Sequence, residues 1–296
     1  MQVTVESRSP VQRSADVLAL PLAQMDPSHW RLPARMAGVD RAAQGAVLSL
    51  LGTGDFRGKR GESLFLYPDG GIGARRILLV GLGEENRIDA EALREAAGIA
   101  VRETARCRGK ALAIVGPGLR RVRVPAMAQA MAEGAILAGY RFDRYRSKPE
   151  NEPGEVRSVA ILLEKGADLR AARAAASVGV CVAESQNLAR DLSNEPPNVL
   201  PPAGIARAAQ KLAKEVGLRA RVLGEAEIRK RKLGAMLAVG GGSTHTPRLI
   251  VLEHNAPTTT RGGKHPGRRP TTVCLVGKGV TFDSGGLSLK SPTAMT

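Results

Sequence analysis

The chain has 296 residues, 43% of them hydrophobic but only 3% aromatic, and a formal charge of +16 from 44 Lys and Arg against 28 Asp and Glu. This length can bury a sizeable aliphatic core and indicates about two domains. The positive net charge favours an acidic partner such as nucleic acid.

The basic residues are scattered, however, and almost no aromatic side chains lie between them to stack on bases. Charged runs of this kind more often form solvated faces, so nucleic-acid binding stays the less favoured alternative. The local clusters are Arg120, Arg121 and Arg123; Arg141, Arg144, Arg146 and Lys148; and Arg229–Lys232.

The cysteines and the N-terminus indicate the compartment. Cys107, Cys181 and Cys274 form neither a CxxC pair nor a zinc-finger spacing, which predicts neither a disulfide framework nor a thiolate metal site. The N-terminal segment lacks the unbroken apolar core of a signal peptide, and no apolar run is long enough to span a bilayer. We therefore expect a soluble, cytoplasmic protein with no membrane partner.

In the first half of the chain, short β-rich segments alternate with Ala-rich helical stretches, the pattern of a sheet covered by helices. Apolar periodicity predicts buried strands at Asp16–Leu22, Arg75–Gly81, Lys110–Gly116 and Val156–Leu163. It predicts helices at Leu32–Leu51, Asp89–Cys107 and Val124–Ala138. Residues 1–165 are thus predicted to form an N-terminal α/β domain.

A polar loop is predicted at Asp143–Gly154, and a long helix at Ala167–Leu192 is expected to connect two domains. The prolines that follow, at 196, 197, 201 and 202, predict a rigid, extended turn. A second series then has helices at Ala203–Val216 and Glu225–Lys232, strands at Arg219–Leu223, Arg248–Glu253 and Thr272–Val276, and a surface loop at Asn255–Pro270. Residues 166–296 would therefore hold the connecting helix and a second α/β domain.

Two glycine-rich segments superficially look like nucleotide-binding loops. Gly81–Gly83 lacks the third glycine of GxGxxG, and the two glutamates that follow would repel a pyrophosphate, so a tight βα turn is favoured. Gly240–Ser243 lacks the Lys-Ser or Lys-Thr pair of a P-loop and is interpreted as a permissive loop beside a site. The histidines form no HExxH motif, so any metal would need oxygen ligands; they are at positions 29, 245, 254 and 265.

The most informative segment is VGKGVTFDSGGLSLK, residues 276–290. A buried-looking strand (TVCLV) would deliver Lys278 between two glycines, then Asp283 before a Gly-Gly pair, then Lys290. Glycines let a backbone approach a ligand, and α/β folds place their chemistry at the carboxyl ends of strands. Asp283 can coordinate a cation through oxygen, Lys278 can do so only as an uncharged amine, and protonated Lys290 can stabilise an oxyanion. Spacing alone leaves open a glycine-rich turn with solvated lysines and a capping aspartate.

VGKGVTFDSGGLSLK resembles the signature of the leucyl aminopeptidase (M17-type) family. Three further features match in the same order, and together they cover essentially the whole chain. They are LLVGLG within the N-terminal α/β domain, Asn194–Asn198 (NEPPN) after the connecting helix, and Thr246–Glu253 (TPRLIVLE).

This resemblance implies an α/β fold in which an N-terminal α/β domain is joined by a long helix to an α/β metallopeptidase catalytic domain. It implies an enzyme with two divalent metal ions, Mn or Zn, that removes residues such as leucine from peptide N-termini. Lys278 would bind one metal, Asp283 would bridge or share both, and Lys290 would polarise the scissile carbonyl. A homo-oligomer, a hexamer in the family, is also implied.

The sequence departs from the family pattern in one respect. The family carries a second aspartate soon after this motif and an Asp-x-Glu-x-Arg segment later, whereas residues 291–296 (SPTAMT) contain no acid. We therefore expect the catalytic domain within 166–296 to be truncated, inactive alone, and to leave apolar surface at Leu275, Val276 and Leu289. The alternative is a noncatalytic family member acting as a DNA-binding or regulatory protein.

Overall fold

The computed structural model describes residues 1–26, 30–119, 121–147, 152–254, 272–283 and 288–295. It divides into two compact units, Met1–Arg190 and Asp191–Thr296. No helix within these ranges combines the length and the apolar character that crossing a bilayer requires. The mixed α/β fold class is the one predicted.

Six strands of the described residues form the sheet at the centre of the first unit. They are β1 (Gln2–Glu6), β2 (Val17–Ala23), β3 (Ser63–Leu66), β4 (Ile77–Gly83), β5 (Ala111–Val115) and β6 (Ser158–Leu162). Their order is β1-β6-β5-β2-β4-β3, with every neighbouring pair parallel except β3 and β4. The four predicted strands are confirmed, whereas β1 and β3 were not predicted because both are only partly buried.

Helices cover both faces of this sheet. They are α1 (Ala34–Ala42), α2 (Ala46–Thr53), α3 (Ala90–Arg106) and α4 (Val124–Ala138). One core packs α1 and α2 against one face, and a second core packs α3 and α4 against the other. β2 and β4 are therefore buried along nearly their whole length, as central parallel strands require.

The helix boundaries follow local chemistry. α3 begins after Asp89, whose side chain accepts a hydrogen bond from the Ala92 amide at 2.9 Å and caps the helix. The single helix predicted at Leu32–Leu51 is wrong, because Gln44 and Gly45 adopt left-handed φ angles of 56° and 79° and separate α1 from α2.

The connecting helix α5 (Leu169–Asn194) packs on the first unit through small residues. Ala172 and Ala176 lie in the core, and a Cβ at Gly179 would lie 2.5 Å from the Gln129 carbonyl oxygen. Near its end, the Arg190 guanidinium lies 3.9 Å above the centre of the Tyr140 ring. The compact units consequently divide after Arg190, whereas the sequence placed this helix with the second domain.

The second unit contains α6 (Pro202–Val216), β7 (Arg219–Leu223), α7 (Glu225–Lys230), α8 (Gly234–Gly240), β8 (Leu249–Glu253) and α9 (Pro292–Met295). β7 and β8 pair antiparallel, and the predicted α6, β7, α7 and β8 are confirmed. α8 was not predicted. The proline segment is a compact turn rather than an extended one, since the Pro196 carbonyl accepts from the amides of Val199 and Leu200. The predicted loop Asn255–Pro270 lies outside the described residues.

A buried polar network joins α3 to α4. The Glu133 carboxylate accepts hydrogen bonds from Arg94 Nε at 2.8 Å, from Arg94 Nη2 at 2.6 Å and from Gln129 at 2.9 Å. The Glu133 side chain is 8% exposed, and Arg94 also pairs with Glu91 on its own helix. Both oxygens of the buried carboxylate therefore have donors, as a buried polar group requires.

Arg94→Ala should lower the free energy of unfolding by about 3 kcal/mol, because it leaves the buried Glu133 carboxylate with only Gln129 as a donor. Arg60→Ala is the matched control, since the Arg60–Glu95 pair has side chains 45% and 44% exposed and should contribute less than about 1 kcal/mol. Urea unfolding followed by circular dichroism measures both. Equal losses would contradict the importance of the buried network.

Candidate functional site

The segment that leads into the predicted site does not form the predicted strand. Residues 272–280 are irregular in structure, and Val273, Leu275 and Val276 are 80%, 93% and 92% exposed. The strand Thr272–Val276 is therefore a wrong prediction. A strand needs a hydrogen-bonded neighbour, and among the described residues β8 pairs only with β7. The expected apolar surface at Leu275, Val276 and Leu289 is confirmed, since Leu289 is 75% exposed.

Two of the three predicted site residues are brought together. The Lys290 ammonium donates a hydrogen bond to Asp283 Oδ2 at 3.2 Å. Their side chains are 40% and 54% exposed, so water screens this ion pair and its own contribution to stability is small. Lys278 is exposed, and its side chain makes no hydrogen bond or ion pair with the described residues.

The ligand groups of Asp283 and Lys278 are of kinds that can bind a divalent cation, but they are too few to bind two cations. Asp283 offers one carboxylate and Lys278 one amine, and the described residues hold no group of three or more His, Cys, Asp or Glu able to bind a metal ion. Two cations a few ångströms apart need several carboxylates to offset their repulsion. The described part of this chain therefore does not assemble a two-metal centre from its own residues.

Sequence reasoning missed a second feature, a cavity of about 780 Å³ in the first unit. It lies where β2 and β4 end and is lined by charged residues of both signs, among them Arg57, Lys59 and Glu85. The available signal was a set of charged residues directly after buried strands. Taken alone, the glutamates after β4 indicate only that a pyrophosphate would be repelled.

A mostly parallel α/β unit is followed by a smaller α/β unit that carries the Lys278, Asp283 and Lys290 motif. This is the two-domain α/β arrangement expected from the resemblance to metallopeptidases. Residues 31–149 match the N-terminal domain of the cytosol aminopeptidase family, and residues 187–296 match its catalytic domain. The chain therefore belongs to the cytosol aminopeptidase family.

Similar proteins agree with this assignment. The probable cytosol aminopeptidases of Roseiflexus castenholzii and Acidobacterium capsulatum are 38% and 37% identical to the chain over 292 and 256 residues. These alignments cover 98% and 86% of this chain, but 54% and 48% of the relatives. The chain thus spans about half the length of the curated relatives it matches.

Solved structures give the same picture. A mutant of tomato leucine aminopeptidase is similar with a TM-score of 0.79 and 27% identity, over 97% of this chain and 55% of that one. The bottromycin maturation enzyme BotP in complex with Mn has a TM-score of 0.71 and 30% identity, over 95% of this chain and 52% of BotP.

Replacing Leu275 and Val276 with serine should lower self-association and hydrophobic-dye binding by at least about twofold, because contiguous exposed apolar side chains create a sticky surface. The control pair Val216→Ser and Val239→Ser removes two separated valines that are 59% and 68% exposed. Light scattering after size-exclusion chromatography measures the effect. A similar reduction in the control variant would show that the contiguous apolar side chains at 275 and 276 have no special role in self-association.

Proposed function

We propose that this chain contributes to a metal-dependent aminopeptidase that releases N-terminal amino acids, leucine among them, from peptides by two-metal hydrolysis. The observation that carries the proposal is the VGKGVTFDSGGLSLK segment, which lies inside the range matching the family's catalytic domain. The relatives named as probable cytosol aminopeptidases and the BotP complex with Mn support it.

In this proposal Lys278 and Asp283 are metal ligands and Lys290 faces the substrate. Divalent ions such as manganese or zinc supply a hydroxide at neutral pH and polarise carbonyl groups. The Lys290 ammonium, held in this chain 3.2 Å from Asp283, would stabilise negative charge on the scissile carbonyl oxygen. A carboxylate has two oxygens, so pairing with Lys290 through Oδ2 does not prevent Asp283 from serving as a cation ligand.

Peptides would be bound through their free N-terminus. We also propose a cytoplasmic location and assembly into a homo-oligomer, a hexamer as the family resemblance implies. The nucleic-acid alternative gains little from the Arg229–Lys232 cluster. Arg229 and Arg231 there pair with acids of α7, Glu225 and Glu227, at 2.9 and 3.0 Å.

The proposed roles of Lys290 and Asp283 can be tested separately in a chimaera. In it, these 296 residues replace the matching half of the Roseiflexus relative. Lys290→Ala should reduce turnover about 100- to 1000-fold with metal content unchanged, because it removes one charge that stabilises the transition state. Asp283→Ala should instead lower the metal content, because a ligand oxygen is lost. Leucine release and elemental analysis measure the two effects.

Lys211→Ala is the control for loss of a lysine, since Lys211 is 79% exposed on α6 and, among the described residues, pairs only with Glu215 of the same helix. Turnover of the Lys290 variant within about threefold of the parent would refute its role. Unchanged metal stoichiometry in the Asp283 variant would refute the ligand assignment.

The purified 296-residue polypeptide should release no leucine from leucine-type substrates with added manganese or zinc, because Lys278 and Asp283 alone cannot offset the repulsion of two cations. Leucyl-substrate assays on protein freed of host aminopeptidase test this. The unreplaced Roseiflexus enzyme is the positive control. Robust metal-dependent release by the polypeptide would show that its own residues complete the site.

A further inference from the structure

The cavity in the first unit lies where an α/β sheet is best suited to bind a ligand. The chain leaves β2 toward α1 on one face of the sheet and leaves the neighbouring β4 toward α3 on the other. Such divergence opens a crevice at the carboxyl ends of the strands, where α/β folds commonly bind ligands. A volume of about 780 Å³ suits a small molecule.

The loop that borders the crevice, residues 57–62, is fixed to the sheet by its backbone. The Gly83 amide donates to the Gly58 carbonyl at 2.9 Å, and the Met25 amide donates to the Arg57 carbonyl at 3.2 Å. Gly58 has a left-handed φ of 72°, and a Cβ there would lie 2.5 Å from a carbonyl of β2. The loop therefore has little freedom to move away from the strand ends.

The same loop holds two cationic residues in place. The amides of Arg57 and Lys59 both donate to Glu62 Oε2 at 3.0 Å. A Cβ on Gly81 in β4 would overlap the Lys59 carbonyl oxygen, so glycine is required for this close approach. The backbone at Arg57 and Lys59 is thus fixed before any ligand binds. This lowers the conformational entropy that binding would cost.

Charges of both signs line this one crevice. The Arg57 and Lys59 side chains make no ion pair or hydrogen bond with the described residues, and neither does the Glu85 side chain. Arg121 contributes a further cation whose Nη1 donates to the Asn86 carbonyl at 2.8 Å. Opposite charges that face a cavity without satisfying each other suit a ligand that carries both.

The remaining lining is partly apolar, from Met25, Ile88 and Leu119. A ligand with a positive group, a negative group and an aliphatic part fits this combination. A nucleoside polyphosphate fits less well, because the described lining residues include as many acids as bases. They are Asp26, Glu84 and Glu85 against Arg57, Lys59 and Arg121.

We propose that this crevice binds a zwitterionic amino acid or short peptide, with its carboxylate toward Arg57 and Lys59 and its ammonium toward Glu85. This site goes beyond the proposed aminopeptidase function, because none of its residues belongs to the 276–290 segment. It gives the first unit a ligand of its own, of the same chemical class as peptidase substrates and products.

The single tryptophan, Trp30, offers a readout close to the site. Its ring centre lies 6.2 Å from that of Phe56, which directly precedes Arg57. The 296-residue chain is titrated in EDTA, which removes metal-dependent binding, with leucyl-leucine, leucine, N-acetyl-leucine or leucinamide. We expect saturable fluorescence and calorimetric changes with a zwitterion. Each single-charge analogue should bind at least about tenfold more weakly, because it loses one charged contact.

The double variant Arg57→Ala, Lys59→Ala should bind the zwitterion at least about tenfold more weakly than the parent. Glu85→Gln should also bind it more weakly, because the contact with the ammonium group is lost. The matched control, Lys165→Ala with Arg170→Ala, removes two exposed cations of the same unit outside the crevice and should bind as the parent does. Circular dichroism verifies that each variant is folded.

Three outcomes would overturn the proposal: no saturable binding of any zwitterion to the parent chain, undiminished binding by the Arg57 and Lys59 double variant, or tighter binding of ADP than of leucyl-leucine. The last would identify a nucleotide site. Because metal is chelated throughout, failure here leaves the aminopeptidase proposal untouched, and an inactive enzyme leaves this test valid.

Discussion

The burial of two neighbouring parallel strands, β2 and β4, is the constraint on which the first unit depends. Their backbone groups can be satisfied only within the sheet, and their side chains point to both faces, so each face must be covered by helices. The chain meets this requirement with α1 and α2 on one side and α3 and α4 on the other. The connections that carry the chain to these two layers also open the crevice at the strand ends.

The second unit shows the consequence when this constraint is not met. β8 has a single neighbour among the described residues, β7, and the apolar run at 273–276 lies exposed instead of extending the sheet. Nothing in the local sequence distinguishes this run from the buried strands of the first unit. Whether an apolar segment becomes a strand is decided by the availability of a partner, which is a tertiary property.

Sequence patterns therefore succeeded where local signals and tertiary contacts agree. β2 was predictable from a continuous apolar run, and α3 and α4 were predictable from apolar residues at helical spacing. The division between α1 and α2 was not, because it depends on left-handed φ angles at Gln44 and Gly45. α8 was hidden because its glycine-rich sequence favours a loop.

The candidate site was only partly predictable for a different reason. A motif names the residues that carry the chemistry, and here the Asp283–Lys290 contact agrees with their proximity in sequence. A motif does not supply the distant residues that complete a metal centre. The crevice of the first unit carries no motif at all, because its residues come from four separate connections and meet only after folding.

Gly81 links the architecture of the first unit to its surface chemistry. Because the backbone of the 57–62 loop rests directly on this position, any side chain there would push the loop outward and shift Arg57 and Lys59 with it. One substitution would thus change both the packing of a central strand and the charge pattern of the crevice. During evolution, substitutions of the lining side chains can alter which ligand the crevice prefers. Its shape is harder to change, because it depends on the same backbone packing that stabilises the sheet.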